Sequence, residues 1–171
     1  MFGIHEIGGD ARVEVSEFVK EIGRAFRAAP KVRIGLSENC NRAEIQLQGF
    51  QEDYTLAAAV SQAMATSATV TFNRVRLSYG RARTDVNRIA ILIVGGEIVD
   101  FEMAKREGAR LKYTSRVIVV GVGNHVDVQQ LRELSSYADA NDFSHVFPVR
   151  QPERLTGVVR KVLDLICRES Q

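Results

Sequence analysis

A doubly wound α/β fold is predicted, with helices on both faces of a mostly parallel sheet, and three observations predict it. Residues 89–94 and 117–120 are apolar at every position, the pattern of strands covered on both faces. Each run leads to glycine, at Gly95 and at Gly121 and Gly123, and then to an amphipathic helical pattern. From Arg88 to Cys167 the order strand, helix, strand, helix, strand, helix runs without a break, and alternation of that kind builds a parallel sheet.

Earlier in the chain, residues 1–6 form a short strand candidate, weakened by Gly3 and made unusual by His5. Val15, Phe18, Val19, Ile22 and Phe26 recur at helical spacing, so 13–28 is an amphipathic helix that Pro30 stops. Val32, Ile34 and Leu36 alternate with Arg33 and Gly35 as a second strand. After a turn rich in Ser, Glu and Asn, Ala43, Ile45 and Leu47 alternate with Glu44, Gln46 and Gln48, as expected of a half-exposed antiparallel edge strand. Alanine-rich 56–64 and the segment 72–79, with Phe72, Val75, Leu77 and Tyr79, both read as helices separated by Thr66-Ser67-Ala68-Thr69. The later elements are a strand at 89–94, a helix at 98–112, a strand at 116–122, a helix at 128–138, a strand at 145–149 and a helix at 152–168.

The chain has 171 residues, the size of one α/β domain with a sizeable core, and 1–171 is assigned as a single domain. The net charge of only +2 makes no demand for nucleic acid. No apolar run approaches the roughly eighteen residues that span a bilayer, so membrane insertion is not expected. The opening MFGIHEIGGD lacks a basic stretch followed by a long apolar one and does not read as a secretory signal. Two cysteines, Cys40 and Cys167, do not make a disulfide framework.

Few residues carry obvious chemistry. Gly121-Val122-Gly123 starts like a dinucleotide-binding turn, but the third glycine is replaced by Val126 and the pair lies late in the sheet, so the glycines are expected to ease a strand into a tight turn. His5 and His125 fall near strand ends without a serine or cysteine partner at a recognisable spacing, and His145 lies in a strand motif with a surface or core role; no triad is supported. Arg74, Arg76, Arg81 and Arg83, with Arg88 beyond them, are the local basic concentration. On a helix Arg74 shares a face with Arg81, and Arg76 with Arg83. This cluster is either a solvated helix face or a patch for a sulfated polysaccharide or an acidic protein, whose oxygens suit guanidinium forks.

The wording of the second half is more specific. A strand ending Gly121-Val122-Gly123, then Gln130-Leu131-Arg132-Glu133-Leu134, then His145-Val146-Phe147-Pro148-Val149 and a helix closing at Ile166-Cys167 resembles the von Willebrand factor type A domains of matrilins and collagen VI chains. The resemblance implies a three-layer α/β/α, Rossmann-like fold with a six-stranded sheet in the order 3-2-1-4-5-6 and an antiparallel third strand. It also implies a site where Asp-x-Ser-x-Ser, a loop Thr and a second Asp hold a divalent cation. Alignment by strand ends places His5, Ile7 and Gly9 at the first three ligand positions, Thr69 at the loop Thr and Gly95 at the second Asp. Only the Thr survives, and one neutral hydroxyl does not offset the dehydration of a hard cation. Glu6, Asp10 and Glu97 are the alternative oxygens for a shifted cation site with Thr69, disfavoured because Glu6 points opposite to His5 along the strand. The family's frequent pairing of a closing-helix cysteine with one before the first strand has no counterpart here.

The resemblance therefore implies a non-enzymatic, secreted module of extracellular matrix or adhesion proteins with no cofactor and a degenerate metal site. Its partners would be collagen or other matrix proteins, neighbouring domains of the parent chain, or a sulfated polysaccharide. The alternative is an intracellular or microbial α/β enzyme or nucleotide-binding protein sharing only the sheet topology.

Overall fold

A computed structural model describes residues 2–5, 11–26, 29, 32, 34–38, 44–48, 86–98, 100–137, 139 and 141–170. Its elements are β1 (Phe2–His5), α1 (Arg12–Ala25), β2 (Ile34–Glu38), β3 (Glu44–Gln48), β4 (Ile89–Val94), α2 (Phe101–Thr114), β5 (Arg116–Val122), α3 (Val128–Leu134), β6 (Val146–Val149), a 3-10 segment (Pro152–Val158) and α4 (Val159–Glu169). The helices expected at 56–64 and 72–79 lie outside the described residues.

The sheet order is β3-β2-β1-β4-β5-β6. β1 pairs in parallel with both β2 and β4, β5 in parallel with β4 and β6, and β3 lies antiparallel to β2. Every residue from Ala90 to Val94 in β4 and from Val117 to Val122 in β5 is buried. Side chains alternate along a strand, so these runs feed two cores. Ile91, Ile93, Ile118, Val120 and Val122 face Val15, Phe18, Val19 and Ile22 of α1, Leu155, and Val162, Leu165 and Ile166 of α4. Ala90, Leu92, Val94, Val117 and Val119 face Ala104 and Leu111 of α2 and Leu131 and Leu134 of α3. The continuous apolar runs are thus each divided between two helical layers.

Helix ends follow local hydrogen bonding. α1 stops at Ala25 rather than at 28, where the Phe26 N–H turns back to the Gly23 carbonyl at 3.1 Å. α2 starts at Phe101 rather than at 98 because the Asp100 carboxylate accepts from the Met103 N–H at 3.0 Å, and Ile98 is buried in the sheet-facing core instead. Asp127 caps α3 in the same way, accepting from the Gln129 N–H at 2.8 Å. α3 ends at Leu134, short of the expected 138, because Ser136 is needed at the sheet. β6 begins opposite Val119, which leaves Val117 without a strand partner on that side. Ser136 fills the gap: its hydroxyl accepts from Val117 N–H at 2.9 Å and its own N–H donates to Val117 carbonyl at 2.8 Å. The last helix opens as a 3-10 segment with proline in its first turn, a position where the missing N–H costs nothing.

The open edge at β6 is protected. Val119 N–H donates to the His145 carbonyl and Gly123 N–H to the Val149 carbonyl, so alternate residues of β6 bond inward. Pro148 therefore turns its backbone outward, where it offers no N–H to an added strand.

The two glycines after β5's apolar run serve different ends. Gly123 takes φ +99°, a left-handed conformation favouring glycine, and makes the turn. Gly121 lies inside β5, contrary to the expectation that both glycines shape the turn. A Cβ there would stand 2.4 Å from Leu131 Cδ1 and 3.2 Å from Val126 Cγ2, so its role is to let α3 approach the sheet. Because Leu131 is itself buried, Gly121→Ala should cost about 1–3 kcal/mol through overpacking. Urea unfolding checks this; an unchanged midpoint would contradict the packing role.

Candidate functional site

The carboxyl ends of the strands form one rim, where ligands bind in open α/β sheets. Register aligns it: His5 pairs with Val94, Val94 with Gly121, and Val122 with Val149. The chain leaves β4 through Gly95, Gly96 and Glu97, and β5 through Gly123, Asn124 and His125, with Glu97, Asn124 and His125 exposed. A Cβ on Gly123 would lie 3.8 Å from the Gly95 carbonyl oxygen, so these two turns adjoin. His5 and Gly95 thus reach the same rim through neighbouring strands. Ile7, Gly9, Thr69, Glu6 and Asp10 lie outside the described residues, as do Arg74, Arg76, Arg81 and Arg83. Among the described residues no three His, Cys, Asp or Glu side chains form a metal-ligating group.

Glu14, in the first turn of α1, carries a signal that periodicity did not reveal. Its Oε2 is buried and has no hydrogen-bond partner among the described residues. The N-terminal end of the helix dipole favours that negative charge.

The described histidines do not converge. His125 is exposed on the rim, whereas His145 is buried at the opposite pole, with its Nδ1 2.9 Å from Ser144 Oγ. His145 Nε2 comes within 3.3 Å of Glu169 Oε1, close enough for an ion pair when protonated but misaligned for a hydrogen bond. Glu169 Oε2 also takes Arg116 Nε at 3.0 Å, and Asn87 Nδ2 donates to Ser170 carbonyl at 3.1 Å. These contacts tie the end of α4 to the amino ends of β4, β5 and β6, far from the rim. Cys167, on this helix, is an exposed free thiol.

A second charged group lies on the α2–α3 face. Lys105 pairs with Glu133 at 2.6 Å, and this hydrogen bond and charge raise the lysine above its ordinary value. Lys112 instead donates to the Glu133 carbonyl at 2.7 Å, and burial lowers it below the ordinary lysine value. Both Lys112 Nζ and the Arg132 guanidinium lie over Tyr137, at 5.0 and 4.8 Å from its ring centre, and Arg132 also lies 5.7 Å from Phe143. Sequence reading missed this group because Lys112 and Arg132 sit in different helices and Tyr137 and Phe143 in the loop beyond them.

Comparison with known proteins agrees with this geometry. The family described as von Willebrand factor type A domain matches residues 6–161, and the chain belongs to that family. No curated protein matches the chain. Among solved structures it is similar to proximal thread matrix protein 1 from the mussel byssus, with 15% identity and a TM-score of 0.75 over 97% of this chain. A form of that protein with a zinc-occupied MIDAS motif matches with 15% identity, a TM-score of 0.72 and the same 97% of this chain. The chain spans about half of their length, covering 47% of each. The family match carries the relationship beyond the shared sheet topology on which the enzyme alternative relied.

The two lysines on the α2–α3 face should titrate in a fixed order. Lys112 loses its proton at lower pH than Lys105, because burial penalises the first ammonium and Glu133 holds the second. Carbon NMR of reductively methylated protein reads both midpoints; coincident or reversed midpoints would contradict the described environments.

Proposed function

We propose that this chain is a non-enzymatic interaction module of an extracellular matrix or adhesion protein, and that it binds without a cation at its rim. The family match over residues 6–161 carries the reading, supported by similarity to a protein described as a thread matrix protein. The same relationship supports a secreted location. Its partners are matrix proteins such as collagen, or neighbouring domains of the parent chain. The doubly wound scaffold, with five parallel strands and one antiparallel edge strand, keeps its cores whatever the rim holds.

The donor set argues against a cation. The mussel protein is described with zinc in its MIDAS motif; the positions that strand-end alignment assigns to such a site in this chain are His5, Ile7, Gly9, Thr69 and Gly95. Gly95 has no side-chain donor, and a lone threonine hydroxyl with an imidazole is a poor cage for a hard ion. Binding then falls to charged surface, and Arg74, Arg76, Arg81 and Arg83 are the proposed contacts for an acidic matrix partner or a sulfated polysaccharide.

Binding to immobilised matrix preparations tests this. Affinity should be equal with magnesium and with chelator, and Thr69→Ala should leave it unchanged. Replacing Arg74 and Arg81 together by Ala should weaken it by about 1 kcal/mol per contact at low salt, and by less at high salt, where screening has already reduced exposed charge contacts. A large loss from Thr69→Ala, or binding that disappears with chelator, would return function to a rim-bound metal.

A further inference from the structure

We infer that the α2–α3 face carries a docking site for a protein partner, in which Arg132, held by Tyr137 and Phe143 and flanked by Lys112, receives a carboxylate whose neighbouring side chains are apolar. This rests on reading the chain as a protein-interaction module, and it assigns a second surface to that role.

Arg132 is positioned but not neutralised. Its guanidinium lies over both aromatic rings, its Nε is buried without a hydrogen-bond partner, and among the described residues no carboxylate pairs with it. Lys112 is in the same state: its ammonium is spent on a backbone carbonyl, while the carboxylate of Glu133 is taken by Lys105. Two cations therefore converge on one exposed ring, and among the described residues neither forms an ion pair with a carboxylate. Two ring contacts hold the guanidinium in place, and its fork matches a carboxylate with two parallel hydrogen bonds.

The surroundings select the kind of partner. Tyr137 and Phe143 are 42% and 38% exposed, which leaves aromatic surface beside the cations. Arginine with tyrosine and phenylalanine is the composition of buried interface centres, where apolar contact excludes water from a charge pair. A polyanion is disfavoured: the exposed Asp139 lies in the same loop as Phe143, its carboxylate accepting from the Asn141 N–H, and would repel a dense run of sulfates. One carboxylate between apolar side chains meets both the cations and the rings.

Fluorescence anisotropy of the whole chain with a labelled peptide carrying one glutamate between two phenylalanines tests the assignment. Binding should fall at least about tenfold when the peptide's glutamate is glutamine, and by a similar factor in Arg132→Gln and in Lys112→Gln. Arg74→Gln should leave it unchanged. If Arg132→Gln does not fold, as judged by its melting curve, heteronuclear NMR of the wild type replaces it, and the Arg132 side-chain N–H must shift on peptide addition. Equal binding by Arg132→Gln, equal binding of the glutamine peptide, or an unmoved Arg132 signal would overturn the site. Heparin binding that depends on Arg132, without peptide binding, would overturn it in favour of a polysaccharide surface. Peptide binding that survives Arg132→Gln removes this site and leaves the module reading standing; a wild type that binds the peptide but no matrix removes that reading and keeps the site.

Discussion

Strands β4 and β5 have no polar face, and the rest of the described structure answers that constraint. A strand apolar at every position cannot leave either side in water, so each needs a helical layer above and below. α1, Leu155 and α4 cover one side and α2 and α3 the other. The parallel pairing of β4 with β1 and β5 then places all their carboxyl ends together. The rim is therefore a by-product of covering two strands, and no ligand is needed to bring its residues together.

That separation explains how an interaction domain can keep its shape while its rim changes. The cores lie between layers, while Gly95, Gly123, Asn124 and His125 lie beyond the strand ends. At the other pole Arg116, His145 and Asn87 hold the end of α4, so the closing helix is fastened away from the rim. The rim residues belong to neither core and take no part in this fastening. Recognition can then move to helical faces, where the charged groups are.

Much of this was legible in the sequence because burial leaves a periodic trace. Strands β4 and β5 and the buried stripe of α1 were readable at nearly their observed bounds, since each pattern is local. Helix ends were less so. The early end of α3 depends on Ser136 reaching Val117, a contact between elements that no local pattern encodes. The same holds for the site residues. His5 and Gly95 could be aligned by strand ends, because register follows from the strands themselves. Arg132, Tyr137, Phe143 and Lys112 could not, because their meeting depends on how α2, α3 and the following loop pack.

In the proposed reading, buried strands and not a bound ion hold this domain and its rim. Calorimetric unfolding in chelator and in millimolar magnesium tests it most directly, since a ligand that binds only the folded state at a hundredfold excess over Kd adds about 2.7 kcal/mol of stability. The melting temperature should be the same in both. A rise of several degrees with magnesium that chelator abolishes would contradict it.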